Sequence, residues 1–294
     1  MQTAIVTGAG GFIGLHLTEE LTGHGYRVYA LCREKTPAQK KLLAGVSIFT
    51  DMDDLPPADV FYHLAWASAS GPGRGDPLIQ TRNAELTLNA LLTAHRLGCK
   101  RFVGLGTVYE RLEPQIEKSG RFGNSDFYIL SKGYSHRMAD HLALKFETDF
   151  VWCTICHPVG RYIKKDQMMA YVVADLLAGK STPMGPAATP YDIVSARDVA
   201  QGLRLLGSAE RLSRREYYIG SGSPRPLHQW LDETGRILGG EVFPEIGKLP
   251  GDNLRFGPDW FDISPIAAET GYRPITGFAD SVAEVAKWVR ETGV

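Results

Sequence analysis

Residues 3–14, TAIVTGAGGFIG, constrain this chain more than any other stretch. The apolar run Ala4, Ile5, Val6 predicts a short buried strand. Gly8, Gly11 and Gly14 then recur at three-residue spacing, and Ile13, Leu17 and Leu21 open a helical pattern that Gly23 and Gly25 close. A strand feeding a glycine-rich turn into a helix is how a protein holds a pyrophosphate. Glycines accept positive φ and let the phosphate approach the backbone, and the helix N-terminus offers unpaired N–H groups with partial positive charge. The spacing is G-x-x-G-x-x-G; Ile13 stands where a G-x-G-x-x-G pattern would need glycine. Three glycines alone make any tight turn. The strand before them and the amphipathic run after them supply the context that points to a dinucleotide.

Strands and helices alternate from there. Strands are predicted at 26–31, 46–50, 60–65, 101–105 and 150–156, and helices at 87–97 and 128–146. Such alternation predicts an α/β fold, a Rossmann-type doubly wound parallel sheet with helices on both faces. After Pro158 the pattern changes to loops rich in glycine and proline, with short helical runs at 168–177, 198–206, 227–238 and 281–292. The expected organisation is a dinucleotide-binding domain over 1–160 and a smaller, irregular substrate lobe over 161–294, with some segments of the second returning to the sheet. The ligand crevice of an open parallel sheet lies at the carboxyl ends of its strands, and the second lobe would roof it.

Composition closes off other classes. A net charge of −1 implies no nucleic-acid partner. No run of 18 apolar residues spans a membrane, and the chain enters a strand at once with no signal peptide, so a cytoplasmic location is the expectation. Cys153-Thr154-Ile155-Cys156-His157 matches the C-x-x-C-H haem-attachment pattern. It lies in a strand-like run, where residues three apart face opposite ways and two thiols cannot share a ligand; no metal is expected.

Tyr128 and Lys132 stand at i and i+4 on the long helix and share a face. A tyrosine works as acid and base near neutrality only if its phenolate is stabilised by about 4 kcal/mol. A lysine ammonium one turn away supplies part of that, and an oxidised nicotinamide ring adds a second positive charge. The Y-x-x-x-K spacing is common, and gains weight here from the nucleotide loop and the strand–helix units before it.

With these residues in view, the chain resembles the extended short-chain dehydrogenase/reductase family, the NAD(P)-dependent nucleotide-sugar epimerases, dehydratases and ketoreductases. The resemblance covers nearly the whole length. It rests on Thr7-Gly8-x-x-Gly11-x-x-Gly14, His63-Leu64-Ala65, Asn83 leading into Thr87-Leu88-Asn89-Ala90-Leu91-Leu92, and Tyr128-x-x-x-Lys132. It continues through Pro158, Arg197-Asp198-Val199-Ala200, Tyr218-Ile219-Gly220-Ser221-Gly222, Pro250-Gly251-Asp252, and Asp262 followed by Thr270-Gly271-Tyr272-Arg273-Pro274.

Carried over by position, the resemblance implies that Gly8, Gly11, Phe12, Ile13 and Gly14 face the pyrophosphate and that Asp51 and Met52 sit at the adenine. Leu64, Ala65 and Trp66 would line the ribose and nicotinamide side, with Asn83 nearby, and Val159 would approach the nicotinamide amide. Lys132 would bind the cofactor ribose. The family's Ser/Thr, which bonds the substrate oxygen, falls on Thr107 when the fifth strand is aligned from its start, and on Leu105 when Val108-Tyr109 is the anchor. A leucine cannot polarise a carbonyl, so Thr107 is the catalytic candidate beside Tyr128 and Lys132. The resemblance also implies a homodimer through the helices at 87–97 and 128–146.

Three departures matter. Many relatives carry an Asp after the second strand, where it binds both ribose hydroxyls; here Cys32 is followed by Arg33, a pairing that favours the 2′-phosphate of NADP, with NAD as the alternative. Gly160 stands where relatives binding UDP-sugars often have Asn, and Leu249 where an arginine is expected, with Lys248 and Arg255 close by. Residues 66–82 form a Gly/Pro loop whose Arg74 either contacts substrate or, the plainer reading, lies on a surface loop. The function this implies is an NADPH-dependent reductase of a keto group on a nucleotide-linked sugar. The alternative is an epimerase with tightly bound NAD; dehydration is disfavoured because Val108 and Tyr109 replace the Asp-Glu pair that follows the Ser/Thr in dehydratases. A non-catalytic cofactor-binding regulator is a third reading, opposed by the retained tyrosine and lysine.

Overall fold

The structure is a computed structural model and describes residues 1–33, 43–120, 122–251 and 255–293. Strands β1 (Thr3–Thr7), β2 (Arg27–Leu31), β3 (Ser47–Phe49), β4 (Val60–His63), β5 (Arg101–Leu105), β6 (Asp149–Thr154) and β7 (Glu216–Tyr218) form one sheet in the order β7-β6-β5-β4-β1-β2-β3. Every pairing is parallel. The chain starts in the middle and winds outward both ways, which opens a crevice between the carboxyl ends of β1 and β4. The doubly wound α/β reading is therefore the observed fold.

Period-two alternation sorts the strand side chains into two cores. Ala4, Val6, Tyr62, Val103 and Val151 face one side, against α1 (Phe12–Gly23) and a later helix at Ala196–Ser208. Ile5, Phe61, Phe102, Phe150 and Trp152 face the other. There Phe61, Phe102 and Phe150 are register partners on adjacent strands, with rings stacked at 5.7 and 5.9 Å. They pack against Leu91 and Ala94 of α2 (Pro77–Arg96) and Ala139 and Ala143 of α3 (Asp126–Lys145). Each buried Phe of that ladder contributes roughly 1.5–3 kcal/mol of apolar burial.

Two differences from the sequence expectation shape the site. Helix α2 begins at Pro77 rather than at 87, because Asp76 accepts the Leu78 and Ile79 N–H groups at 2.9 and 3.0 Å and proline occupies the first turn. The sixth strand leaves the main sheet at Thr154, and His157–Val159 pairs instead with Ile193–Ser195 in a separate two-stranded sheet. Pro158 has no N–H to give to a central ladder. Glu216–Tyr218, far along the chain, supplies the edge strand beside β6. Among the described residues no helix is long and apolar enough to cross a membrane.

Only one of the three loop glycines uses left-handed backbone: Gly8, at φ 69°. Gly14 is there for space, since a Cβ on it would stand 2.1 Å from the Gly8 carbonyl oxygen. Gly14→Ala is therefore expected to destabilise the protein by about 3 kcal/mol, the upper range for overpacking against backbone. Gly23→Ala, at a helical position with nothing within 4 Å, is expected to be neutral or to gain about 0.5 kcal/mol. Urea unfolding of the two variants measures the contrast, and equal stabilities would contradict the packing account.

Candidate active site

A cavity of about 390 Å³ opens at the carboxyl ends of β1, β4, β5 and β6. Gly8, Gly11, Phe12, Ile13 and Gly14 form one wall. No side chain caps α1 at Gly11, so its first-turn N–H groups are offered to a ligand, and the site fits an anionic pyrophosphate. The facing segment 64–66 is fixed by Thr7, whose hydroxyl oxygen accepts the Leu64 and Ala65 N–H groups at 3.2 Å each. That hydroxyl also meets His63 Nδ1 at 2.9 Å, while His63 Nε2 meets Thr87 Oγ1 at 3.1 Å. Burial holds His63 down to about 3, so it is a neutral bridge between β1, β4 and α2.

The opposite wall carries Thr107, Tyr128 and Lys132. Thr107 lies just beyond β5, where a short helical turn at Val108–Leu112 begins with Thr107 and Glu110 in a capping box. Glu110 is buried: its Oε1 accepts the Thr107 N–H at 3.0 Å and the Trp152 Nε1–H at 3.1 Å, and its Oε2 lies 3.2 Å from His136 Nδ1. The Thr107 hydroxyl interacts with the Tyr128 phenol. Burial raises the Tyr128 pKa, against the opposing charge of Arg74 and the Thr107 hydrogen bond. Lys132 is buried too. Its ammonium donates to the Leu105 carbonyl at 2.7 Å and lies 3.8 Å from the centroid of the Trp66 ring. Burial brings Lys132 down to about 7, with Glu110 pulling the other way.

The remaining sequence candidates divide. Leu64 and Trp66 line the cavity. Ala65 backs it, its backbone N 2.9 Å from where a Gly8 Cβ would be. Asn83 is turned away, clasping the backbone of Ala67 through two hydrogen bonds of 2.8 Å; it shapes the loop instead of facing the cavity. Val159 is fully buried in the core, and its neighbour Pro158 lines the cavity in its place. Arg33 is exposed in a bend after β2, Asp51 is exposed with Oδ1 accepting the Asp53 N–H, and Met52 packs on the second core. These three lie outside the cavity lining, on the segments that follow β2 and β3.

The segment 66–82 is no plain surface loop. It folds inward through a turn at Pro72–Gly75 and brings Arg74 to the cavity wall, 4.2 Å from the centroid of the Tyr128 ring. Glu110 and His157 are site residues that spacing did not identify, and Arg74 is one the sequence offered only as the less plain of two readings of its loop. Cys153 and Cys156 fall in different apolar clusters. Other family-like motifs are structural. Asp198 accepts the Ile275 and Thr276 N–H groups at 3.1 Å each, and Tyr272 donates to the Gly220 carbonyl at 2.9 Å. The Arg255 side chain donates to Thr189 Oγ1 at 3.3 Å, and Asp252 lies outside the described residues.

Residues 4–220 match the model of the NAD dependent epimerase/dehydratase family. The chain is 27% identical to a dTDP-glucose 4,6-dehydratase of Actinoplanes sp., over 76% of this chain and 68% of that protein. It is 26% identical to the dTDP-glucose 4,6-dehydratase of Xanthomonas campestris pv. campestris, over 98% and 93%. In fold it is similar to the UDP-glucuronic acid 4-epimerase of Bacillus cereus solved with UDP-glucuronic acid and NAD, with a TM-score of 0.81, 19% identity and coverage of 98% and 99%. It is also similar to the NAD-bound dTDP-glucose 4,6-dehydratase of Streptomyces venezuelae, with a TM-score of 0.79, 24% identity and coverage of 99% and 97%.

The buried ammonium makes a stability prediction. An unfolded lysine titrates near ~10.4, and Lys132 in the fold near about 7. Between those values the unfolded chain holds a proton that the folded chain has shed, so this side chain makes stability rise with pH. The melting-temperature difference between the parent and Lys132→Met, without ligand, is expected to shift in the parent's favour by several degrees from pH ~7 to ~10. A difference that stays flat with pH would contradict the buried charge.

Proposed function

The chain belongs to the NAD dependent epimerase/dehydratase family, and from that membership we propose that it is a nucleotide-sugar epimerase, inverting a secondary carbinol carbon of the sugar with NAD as its resident cofactor. The observation that carries this reading is the content of the cavity wall: the Thr107 hydroxyl acts on the Tyr128 phenol, and Val108 and Tyr109, neither of them an acid, directly follow Thr107, while Asp166 is the carboxylate among the lining residues. Glu110, the nearest carboxylate in sequence, has its Oε1 occupied by the Thr107 N–H and the Trp152 indole, while its Oε2, 3.2 Å from His136, makes no hydrogen bond; the residue lies behind the cavity lining.

When bound, the nicotinamide supplies the acceptor, and then the donor, of one hydride. In this reading Gly8, Gly11 and the N–H groups of Phe12, Ile13 and Gly14 hold the pyrophosphate, Leu64, Ala65 and Trp66 flank the ribose and nicotinamide, and Lys132 binds the ribose. Thr107 and Tyr128 bond the reacting sugar oxygen. Tyr128 takes the hydroxyl proton as the carbinol becomes a ketone, and returns it when the ketone is reduced on its opposite face. Atoms and electrons balance within the site, and the sugar leaves as an isomer.

A second reading, an NADPH-dependent ketoreductase, is favoured by one observation: Cys32 is buried and Arg33 exposed at the end of β2, where an acid would exclude a 2′-phosphate. The two readings differ in cofactor use, since a reductase consumes NADPH with each turnover. A homodimer through α2 and α3 belongs to the same proposal, supported by the exposed Leu92, Tyr134 and Met138 on those helices. Light scattering that returned a monomer would remove it.

Tyr128→Phe is expected to bind NAD as the parent does while losing about 10²–10⁴ in turnover of a nucleotide-sugar panel. Thr107→Ala is expected to lose about 10²–10³. Normal turnover by Tyr128→Phe would remove it from the mechanism and raise Tyr109 as its replacement. For the cofactor, the expected thermal-shift order is NAD(H) ahead of NADP(H). The reverse order, with NADPH binding weakened by roughly 1.5–3 kcal/mol in Arg33→Ala, would favour the reductase.

A further inference from the structure

We propose that Arg74, reaching in from the loop between β4 and α2, is the cation that acts directly on the Tyr128 phenol, a part that Lys132 leaves open. Arg74 is thus a positioning residue, acting through Tyr128, and the inference rests on the reading of Tyr128 as the proton-transfer group.

The geometry carries it. The Arg74 guanidinium lies 4.2 Å from the Tyr128 ring centroid and 5.2 Å from that of Tyr109. Its Nε and Nη2 are buried and have no hydrogen-bond partner, and among the described residues it makes no ion pair. An arginine in a partly buried setting normally finds a carboxylate, because unmade bonds to buried charged donors are expensive. Here the charge is left unneutralised and laid over two phenol rings, an arrangement that is itself attractive and keeps the field strong at the ring. Lys132, by contrast, points its ammonium at the Leu105 carbonyl and the Trp66 ring.

The other groups around the phenol leave Arg74 without a competitor. From the turn after β5 come Glu110, whose charge opposes ionisation of the phenol, and Tyr109, whose hydroxyl bonds Tyr191 at 2.8 Å. From the end of β5 comes the uncharged Thr107 hydroxyl. His157, across the cavity, is held down to about 4 by burial and by Arg74, and is neutral at working pH. Lys164 and Asp166 line the same cavity, yet neither is among the groups that shift the phenol. The loop is built to hold the guanidinium in place. The Gly73 carbonyl accepts Gln80 Nε2–H at 2.9 Å and the Asp76 N–H at 3.2 Å, and a Cβ on Gly73 would stand 2.4 Å from Ser68 Oγ.

The test is an NMR titration of the ligand-free protein labelled at the tyrosine ring carbon bearing oxygen, with the Tyr128 signal assigned by its loss in Tyr128→Phe. Arg74→Gln is expected to move the Tyr128 midpoint up by about one pH unit or more, as for removal of a cation within ~4–6 Å. Arg74→Lys, which keeps the charge, is expected to restore most of the shift, and Lys132→Met to move the midpoint less than Arg74→Gln does. A Tyr128 signal that titrates at the same pH in parent and Arg74→Gln, or in neither before unfolding, overturns the proposal, as does a larger shift from Lys132→Met. No substrate is needed, so the outcome stands apart from the functional reading: a fully active Tyr128→Phe enzyme would sink that reading and leave this titration to be judged on its own.

Discussion

Helix α1 starts so close to the end of β1 that no side chain fits between Gly14 and the Gly8 carbonyl. That approach sets the rest of the site. It turns the first N–H groups of α1 into the crevice and keeps Thr7 at the end of β1, where one hydroxyl ties the Leu64 and Ala65 backbone to His63. Through His63 the contact reaches Thr87 on α2, the helix that packs beside α3. The glycine loop and α2 are thus linked through buried, neutral hydrogen bonds, and α2 packs beside the helix bearing Tyr128 and Lys132. Such bonds hold position without adding charge to a site that must already accommodate a phenol and an ammonium.

The charges there are few and uneven. Lys132 and Arg74 stand at the phenol with the buried carboxylate of Glu110 behind it, Lys164 and Asp166 also line the cavity, and burial works against ionisation of both Tyr128 and Lys132. Glu110 ties the groups together: it accepts the Thr107 N–H and favours the charged form of Lys132.

The sheet was legible because buried parallel strands are short apolar runs between turn signals, and the alternation with helices leaves few other arrangements. The start of α2 was not, because Leu78, Ile79 and Arg82 carry no helical stripe; the Asp76-Pro77 cap decides it, and a cap is a two-residue signal. Of the candidate site, the glycine loop, Tyr128 and Lys132 could be read from spacing, since each spacing maps onto one local geometry. Glu110 could not, and Arg74 only as one of two alternatives, because their roles depend on burial and on which neighbours are missing. Asn83 is a different case, beside the cavity-lining Trp66 but not itself in the lining. Its place in the motif pointed to the cofactor, and the fold uses it to clasp Ala67. Asp198 and Tyr272 likewise belong to motifs that look functional and that tie distant segments of the chain together.

The central claim is reversible hydride transfer at a sugar carbinol without elimination, with Tyr128 moving the proton. Mass spectrometry of UDP- and dTDP-hexoses incubated with the protein and NAD in deuterated water tests it most directly. The account predicts a product isomeric with its substrate, of unchanged mass at carbon, with no net consumption of cofactor. A product lighter by one water and carrying solvent deuterium would contradict it, because the site would then be performing an elimination.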